Sequence, residues 1–199
     1  MNKPETYEDT SGQELDEQEL IEKLKKGHQW AFNQLVNKYE TRLLKIAYGI
    51  TFDQEESLEV VQDVFVSVFK NIKNFRQEAK LATWLRKITI NHCLNWKRKW
   101  KRRFKWNHDP IETETDSTLF AENKKQSTPE MLYREKQLEE NLMKAIKSLP
   151  EKTRVVFVLN TFEGLSYEEI ATTLNISKGT VSSRLHHARK NLTDFLASN

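Results

Sequence analysis

Ser166-Tyr167-Glu168-Glu169-Ile170-Ala171-Thr172-Thr173-Leu174-Asn175-Ile176-Ser177-Lys178-Gly179-Thr180-Val181-Ser182-Ser183-Arg184-Leu185 is the most informative stretch of this chain. Ser166 followed three residues later by Glu169 is a capping box, which starts a helix by satisfying two orphan backbone donors reciprocally. The short helix it opens carries Ile170, Ala171 and Leu174, and Ser177 caps a second helix with Val181, Leu185 and Ala188 on its inward stripe. Only Asn175-Ile176-Ser177 separates the two, so they cross steeply in a helix-turn-helix. A second helix projecting in this way fits a DNA major groove about 12 Å wide. At about 100° per residue, Gly179, Ser183, His186, His187 and Lys190 lie on its outward side. A helical hairpin with a merely solvated face is the plainer alternative, but both caps and the five core positions Ile170, Leu174, Ile176, Val181 and Leu185 fall in register for the groove-reading form.

Upstream of Ser166 the same helical logic continues. Leu138, Leu142, Ile146 and Leu149 recur at three- and four-residue steps after Thr128-Pro129, where Pro suits a first helical position. Pro150 opens another helix with Val155, Val156, Leu159 and Phe162, and Gly164 is placed to end it. In the first half, Phe32 to Ile50 forms one long amphipathic stripe. Asp53 and Glu56 have capping-box spacing before Leu58, Val61, Phe65, Val68 and Ile72. A loop over Asn71 to Ala79 precedes a third helix with Leu81, Leu85 and Ile88. Few glycines and prolines and no alternating apolar pattern make the expected fold all-α.

Charge divides the chain further. Between Arg86 and Trp106 stand nine Lys or Arg residues and no acid, whereas Asn107 to Glu122 holds five acids and no Lys or Arg. The expected organisation is therefore an acidic, disordered N-terminal arm over 1–24 and a first helical domain over 25–106. An acidic flexible linker over 107–128 and a helix-turn-helix domain over 129–199 complete it. Within the basic run, Trp96 and Trp100 sit one helical turn apart among Lys and Arg. Cations hold phosphates and aromatic faces stack on unpaired bases, which favours single-stranded nucleic acid over duplex alone. Trp84 and Trp96 as core residues beneath a solvated helix end is the alternative, and for Trp84 a packing or mixed role is expected.

Other chemistries find little support. The single cysteine, Cys93, has no disulfide partner. A Cys93–His92 catalytic pair is disfavoured because neighbouring helix positions diverge and no orienting acid or Gly-rich phosphate loop accompanies it. His186 and His187 diverge in the same way and do not suggest a shared metal. No cofactor is expected. No apolar run approaches the roughly 18 residues of a membrane span and no signal segment precedes the first domain, so a cytoplasmic protein without membrane insertion is expected.

From Trp30 to Leu192 the chain resembles the extracytoplasmic function (group 4) sigma factors of the sigma-70 family. Leu58-Glu59-Val60-Val61-Gln62-Asp63-Val64-Phe65 is similar to the family's core-polymerase-binding helix. The resemblance implies that Glu59, Gln62 and Asp63 meet the clamp of the largest subunit of core RNA polymerase, with the flap of the second-largest subunit as a further contact. Phe75-Arg76 and Leu81 to Ile88 resemble the promoter-melting segment, and Asn91 to Arg98 the part that reads the −10 element. The implied −10 contacts are Asn74, Phe75, Arg76, Lys80, Trp84, Lys87, Asn91, Asn95, Trp96 and Arg98, with the loop Asn74 to Lys80 capturing a flipped base. Leu149 to Leu185 looks like the domain that reads the −35 element, through Lys178, Thr180, Ser182, Ser183, Arg184, His186 and His187. Ser182 and His187 stand where the family usually or often carries a cation, and Glu59 where it usually carries Asp.

The same resemblance implies promoter-specific transcription initiation without enzymatic chemistry, and an anti-sigma factor as partner. For the acidic linker it suggests a path toward the polymerase active centre, with a solvated spacer as the other reading. The competing class is a stand-alone helix-turn-helix regulator that binds a palindrome as a dimer.

Overall fold

The computed structural model describes residues 16–104 and 129–198, and within them only helices and their connections occur. Helix α1 spans Glu17–Lys25, α2 Gln29–Thr51, α3 Gln54–Asn71 and α4 Leu81–Phe104, with a 3-10 turn at Ile72–Asn74. In the second half, α5 spans Pro129–Ser148, α6 Glu151–Thr161, α7 Tyr167–Leu174 and α8 Lys178–Ala197. The expected linker, 107–128, lies outside the described residues.

The first half is a bundle in which α2, α3 and α4 pack on one another. Leu35, Leu43, Ile46, Val64, Leu81 and Leu85 are almost wholly buried in it. At the start of α3 the Asp53 carboxylate accepts from the Glu56 backbone N–H at 3.0 Å. Two expectations need correction here. The N-terminal arm does not extend to 24: residues 17–25 are helical, and Leu20, Ile21 and Leu24 are buried in the same core. Three apolar residues are too few to show a period, yet they fill one docking face. Glu17 also accepts a hydrogen bond from the Leu81 backbone N–H at 3.0 Å, occupying an orphan donor at the start of α4. Leu58, read as part of the inward stripe, is instead 43% exposed.

In the second half, α6 and α8 pack together, with α5 and α7 laid against α8. Arg154 joins three elements: its guanidinium donates to the carbonyls of Ile146, Lys147 and Leu149 at the end of α5. The same group reaches Ile50 of α2 at 3.3 Å and lies 5.2 Å over the Phe52 ring. Burial pulls its pKa down from the ordinary arginine value, a cost set against four carbonyl acceptors. Leu138 and Leu142 do not face inward as expected; they are 66% and 40% exposed, whereas Met143, Ala145, Ile146 and Leu149 further along carry the packing of this region against the second half's core.

The two halves share buried surface. One apolar cluster joins Leu43, Ile46 and Ala47 of α2 to Val155, Val156 and Leu159 of α6, and a second joins Tyr48 and Phe52 to Ile146, Leu149 and Leu192. Phe52 adopts a left-handed conformation, φ 60°, which is unfavourable for a bulky side chain; its ring is 2% exposed beneath Arg154, so packing from the second half offsets the strain.

Candidate nucleic-acid interface

The helix-turn-helix is built by local contacts. The Ser166 hydroxyl accepts from the Glu169 backbone N–H at 3.2 Å, and the Glu169 carboxylate accepts from the Ser166 N–H at 2.9 Å. The Ser166 backbone N–H, and then its hydroxyl, donate to the Glu169 carboxylate and hold that carboxyl below its usual range. Asn175 takes the left-handed conformation that ends α7, φ 53°, and Ser177 accepts from the Thr180 N–H at 3.1 Å to start α8. Val181, Leu185 and Ala188 are fully buried, which fixes the rotation of α8 about its axis.

That rotation leaves Lys178, Ser182, Ser183, His186 and His187 exposed, with Thr180 and Arg184 partly so. All seven −35 candidates thus lie on or beside the outward face. Two are engaged within the domain: Lys178 pairs with Glu168, holding that carboxyl below its usual range, and the Thr180 hydroxyl lies 2.8 Å from that of Ser177. The His186 and His187 rings diverge, with centroids 5.8 Å apart. Among the described residues no cluster of three metal-ligating side chains occurs.

The α4 face is assembled differently. Asn74, Arg76 and Lys80 are exposed on the approach to the helix, and Lys87, Asn91, Asn95 and Arg98 along it. Arg98 donates to the Asn95 side-chain oxygen at 2.6 Å, so the two polar groups present one surface. The aromatic candidates are packed. Phe75 is only 7% exposed and stacks on Trp84 with ring centroids 4.8 Å apart, closing the core below the loop. This is a correction for Phe75: its ring faces the core and not solvent, because it closes the bundle where the loop after α3 returns to α4. Trp84 is half-buried above it. Trp96 is also half-buried, packed against the core, while Trp100 beside it is 39% exposed. Burial first, then the neighbouring carboxylates of Glu59, Asp53 and Glu55, push the Glu56 carboxyl up.

A groove of about 580 Å³ runs between α3 and α4, lined among others by Glu59, Asp63, His92, Asn95, Trp96 and Arg98. His92 bridges its walls, 3.2 Å from the Ser67 hydroxyl and 4.0 Å from the Asp63 carboxylate. The candidate polymerase-facing residues Glu59 and Asp63 therefore adjoin the candidate −10 residues Asn95 and Arg98, and Gln62 stands exposed beside them. Sequence reasoning missed an apolar stripe on α3: Leu58, Val66 and Phe69 are 43%, 49% and 59% exposed on the Gln62 side. Their spacing of eight and three residues, with Gln62 midway in the first step, was the available signal. Phe69 meets Phe32 edge-on at 5.6 Å, which holds the stripe in place. Cys93 is fully buried, and its thiol is pushed up to about 12 by burial, unsuited to nucleophilic chemistry.

Residues 35–103 match the model of Sigma-70 region 2, and residues 139–192 that of Sigma-70, region 4. The chain is 34% identical to the RNA polymerase sigma-H factor of Pseudomonas aeruginosa, over 87% of this chain and 90% of that one. It is 32% identical to the ECF RNA polymerase sigma-E factor of Escherichia coli K12, over 89% of this chain and 93% of the relative. A similarity of 34% to the ECF RNA polymerase sigma factor SigE of Mycolicibacterium smegmatis covers 84% of this chain but spans only 62% of that longer relative. Among solved structures, the sigma factor RpoE of Bartonella quintana, held in complex with the anti-sigma factor NepR, superposes with a TM-score of 0.65 at 23% identity, over 83% of this chain and 96% of that one.

Proposed function

The chain belongs to the sigma-70 family, in its extracytoplasmic function branch, and from that premise we propose how this promoter-directing RNA polymerase sigma factor divides its work between two helix faces. Glu59, Gln62 and Asp63 of α3 meet the clamp of the largest polymerase subunit, and the second half meets the flap of the second-largest. The exposed residues of α8 hold the −35 duplex. Asn91, Asn95 and Arg98 on α4, with Lys80 and Lys87, hold the unpaired −10 strand, and the exposed loop Asn74 to Lys80 receives a flipped base. Phe75 supports that loop from below and Trp84 stacks on it, so their part in base capture is positional.

Cationic and stacking contacts favour the separated strand over the closed duplex, so binding energy drives opening and the chain performs no chemistry of its own. The observation that carries this reading is the order of two distinct cation-bearing helix faces, each on a bundle matching its own sigma region. A dimeric stand-alone regulator is not favoured, since it leaves the region 2 match over 35–103 without a role. The chain acts where the polymerase does, in the cytoplasm; none of the described helices is long and apolar enough to cross a membrane. By analogy with the complexed relative, an anti-sigma factor is its negative partner.

Run-off transcription with core RNA polymerase on a pool of promoter fragments tests this. Transcripts should appear only when the protein is added, and should vanish when Glu59, Gln62 and Asp63 are together changed to Ala. Palindrome binding by the protein alone, without stimulated transcription, would overturn it.

A further inference from the structure

Helix α4 starts without a cap of its own. Helices α3, α7 and α8 each begin under the side-chain oxygen of the residue before them, Asp53, Ser166 and Ser177, but the residue before α4 is Lys80, which offers none. The Lys80 carbonyl accepts from the Thr83 and Trp84 N–H groups at 3.0 and 3.2 Å, within the first turn. The Leu81 N–H, which a helix cannot satisfy internally, is met by the Glu17 carboxylate at 3.0 Å, from a residue 64 positions away. The carboxylate also sits where the positive end of the α4 dipole favours it. Helix α1 brings it there: Leu20, Ile21 and Leu24 are buried, and the helix packs on α2 and on the 3-10 turn Ile72–Asn74.

That turn and Leu81 bound the loop proposed above to receive a flipped base. Helix α1 therefore holds one end of the loop by packing and the other by a hydrogen bond. Between them the loop has little to hold its own shape. Residues 76–80 are all exposed, and the Arg76–Glu78 pair, 4.0 Å apart with side chains 83% and 79% exposed, contributes little. Yet Gln77 stands at φ 58°, in the left-handed region. Among the described residues two other non-glycines do so: Phe52, held by packing, and Asn175, a residue type that tolerates it. Gln77 is neither packed nor of that type. Its conformation follows from the way both ends of the loop are fixed, with Phe75 on Trp84 anchoring the entry and Glu17 the exit.

We propose that Glu17 is a positioning residue for this loop: its hydrogen bond to the Leu81 N–H fixes the exit and so preforms the pocket for the flipped base. Glu17 touches no base itself. The proposal rests on the −10 reading above, and it adds α1, which lies outside the region 2 match over 35–103, to the elements on which base capture depends. A loop already in its binding form is captured without the loss of affinity that a rarely populated form imposes.

Three variants of the full chain separate the hydrogen bond from charge and from stability. Glu17→Ala removes the acceptor, Glu17→Gln keeps an acceptor oxygen without the charge, and Val68→Ala weakens the same core away from the loop. The probes are a single-stranded −10 oligonucleotide from a promoter found with the pool above, and the same strand with an abasic site replacing each base in turn. In the parent, one abasic site should weaken binding most, which marks the captured base. Glu17→Ala should bind the intact strand about tenfold more weakly, the equivalent of one hydrogen bond to a charged group, yet bind that abasic strand like the parent. Glu17→Gln and Val68→Ala should keep the parent's ratio of intact to abasic affinity. An unchanged ratio in Glu17→Ala, or one lost equally in Glu17→Gln or Val68→Ala, would overturn the proposal. Hydrogen exchange without DNA reads the mechanical half: amides of residues 76–81 should quicken in Glu17→Ala, and parent rates there would also overturn it. A parent indifferent to every abasic site would defeat the −10 reading, while exchange still decides whether Glu17 fixes the loop.

Discussion

The two regions proposed to face DNA are built on opposite principles. In the helix-turn-helix every decisive contact spans few residues: Ser166 with Glu169, Asn175 in its left-handed turn, Ser177 with Thr180. The outward face of α8 follows from these caps and from Val181 and Leu185, so the residues proposed to bind DNA and the packing residues are separate. On α4 the roles overlap. Trp84 stacks on Phe75, and Trp96 packs half-buried against the core, so aromatic residues with the profile of base-stackers also hold the bundle together. A face set by local caps tolerates substitution one function at a time; a face set by long-range packing does not.

The sharpest test of that contrast is Phe75→Ala. Removing a buried aromatic ring should cost about 3–5 kcal/mol. Thermal or urea unfolding of the full chain would show it, and −10 strand binding should weaken through loss of the loop's support. An unchanged melting profile would place Phe75 outside the core and break the comparison. Trp100→Ala is the counterpart, since that ring is 39% exposed. It should leave unfolding nearly unchanged yet weaken single-strand binding by about 1–3 kcal/mol, read by titration of a −10 oligonucleotide.

Ser177→Ala should cost about 1 kcal/mol, the usual value of a lost N-cap, and leave −10 strand binding intact. A loss of both activities would show that α8 is not as locally determined as its caps indicate. Arg98→Ala should lower the slope of log affinity against log salt for the −10 strand by about 0.7 if the side chain holds one phosphate of the unpaired strand. Salt titration of parent and variant decides it.

The smallest effect expected is on pH. Glu168 and Glu169 have carboxyl groups held below their usual range by Lys178 and by Ser166 respectively. Their contribution to the helix-turn-helix is therefore complete above the ordinary carboxylate range and is lost as pH falls through the depressed values. Hydrogen exchange of the α7 amides should quicken in acid before that of α2; equal behaviour in both helices would remove the electrostatic part of the cap.

These expectations track what could be read in advance. The caps at Ser166 and Ser177, the turn at Asn175 and the outward residues of α8 were all legible, because i to i+3 chemistry decides them. Asn91, Asn95 and Arg98 were named only through the resemblance to the family's −10-reading segment, and they stand exposed on α4. The burial of Phe75 was not legible, because its neighbour in space, Trp84, lies across a loop whose path no local rule specifies. Nor were Leu58, Leu138 and Leu142, where the apolar stripe outruns the partner that would cover it. Helix α1 escaped notice because three apolar residues become a pattern only beside the core they fill.

By itself the sequence determined the helical class, the start and stop of most elements, the order of the two nucleic-acid-facing bundles and the family they resemble, since each rests on local hydrogen bonding and periodicity. The tertiary structure alone decided which apolar faces are covered and which aromatic rings double as supports. It also decided that Glu163 joins Arg42 and Arg86 across the two halves. Arg42 and Glu163 lie 121 positions apart in the chain, and a contact at that separation depends on how every intervening helix is placed.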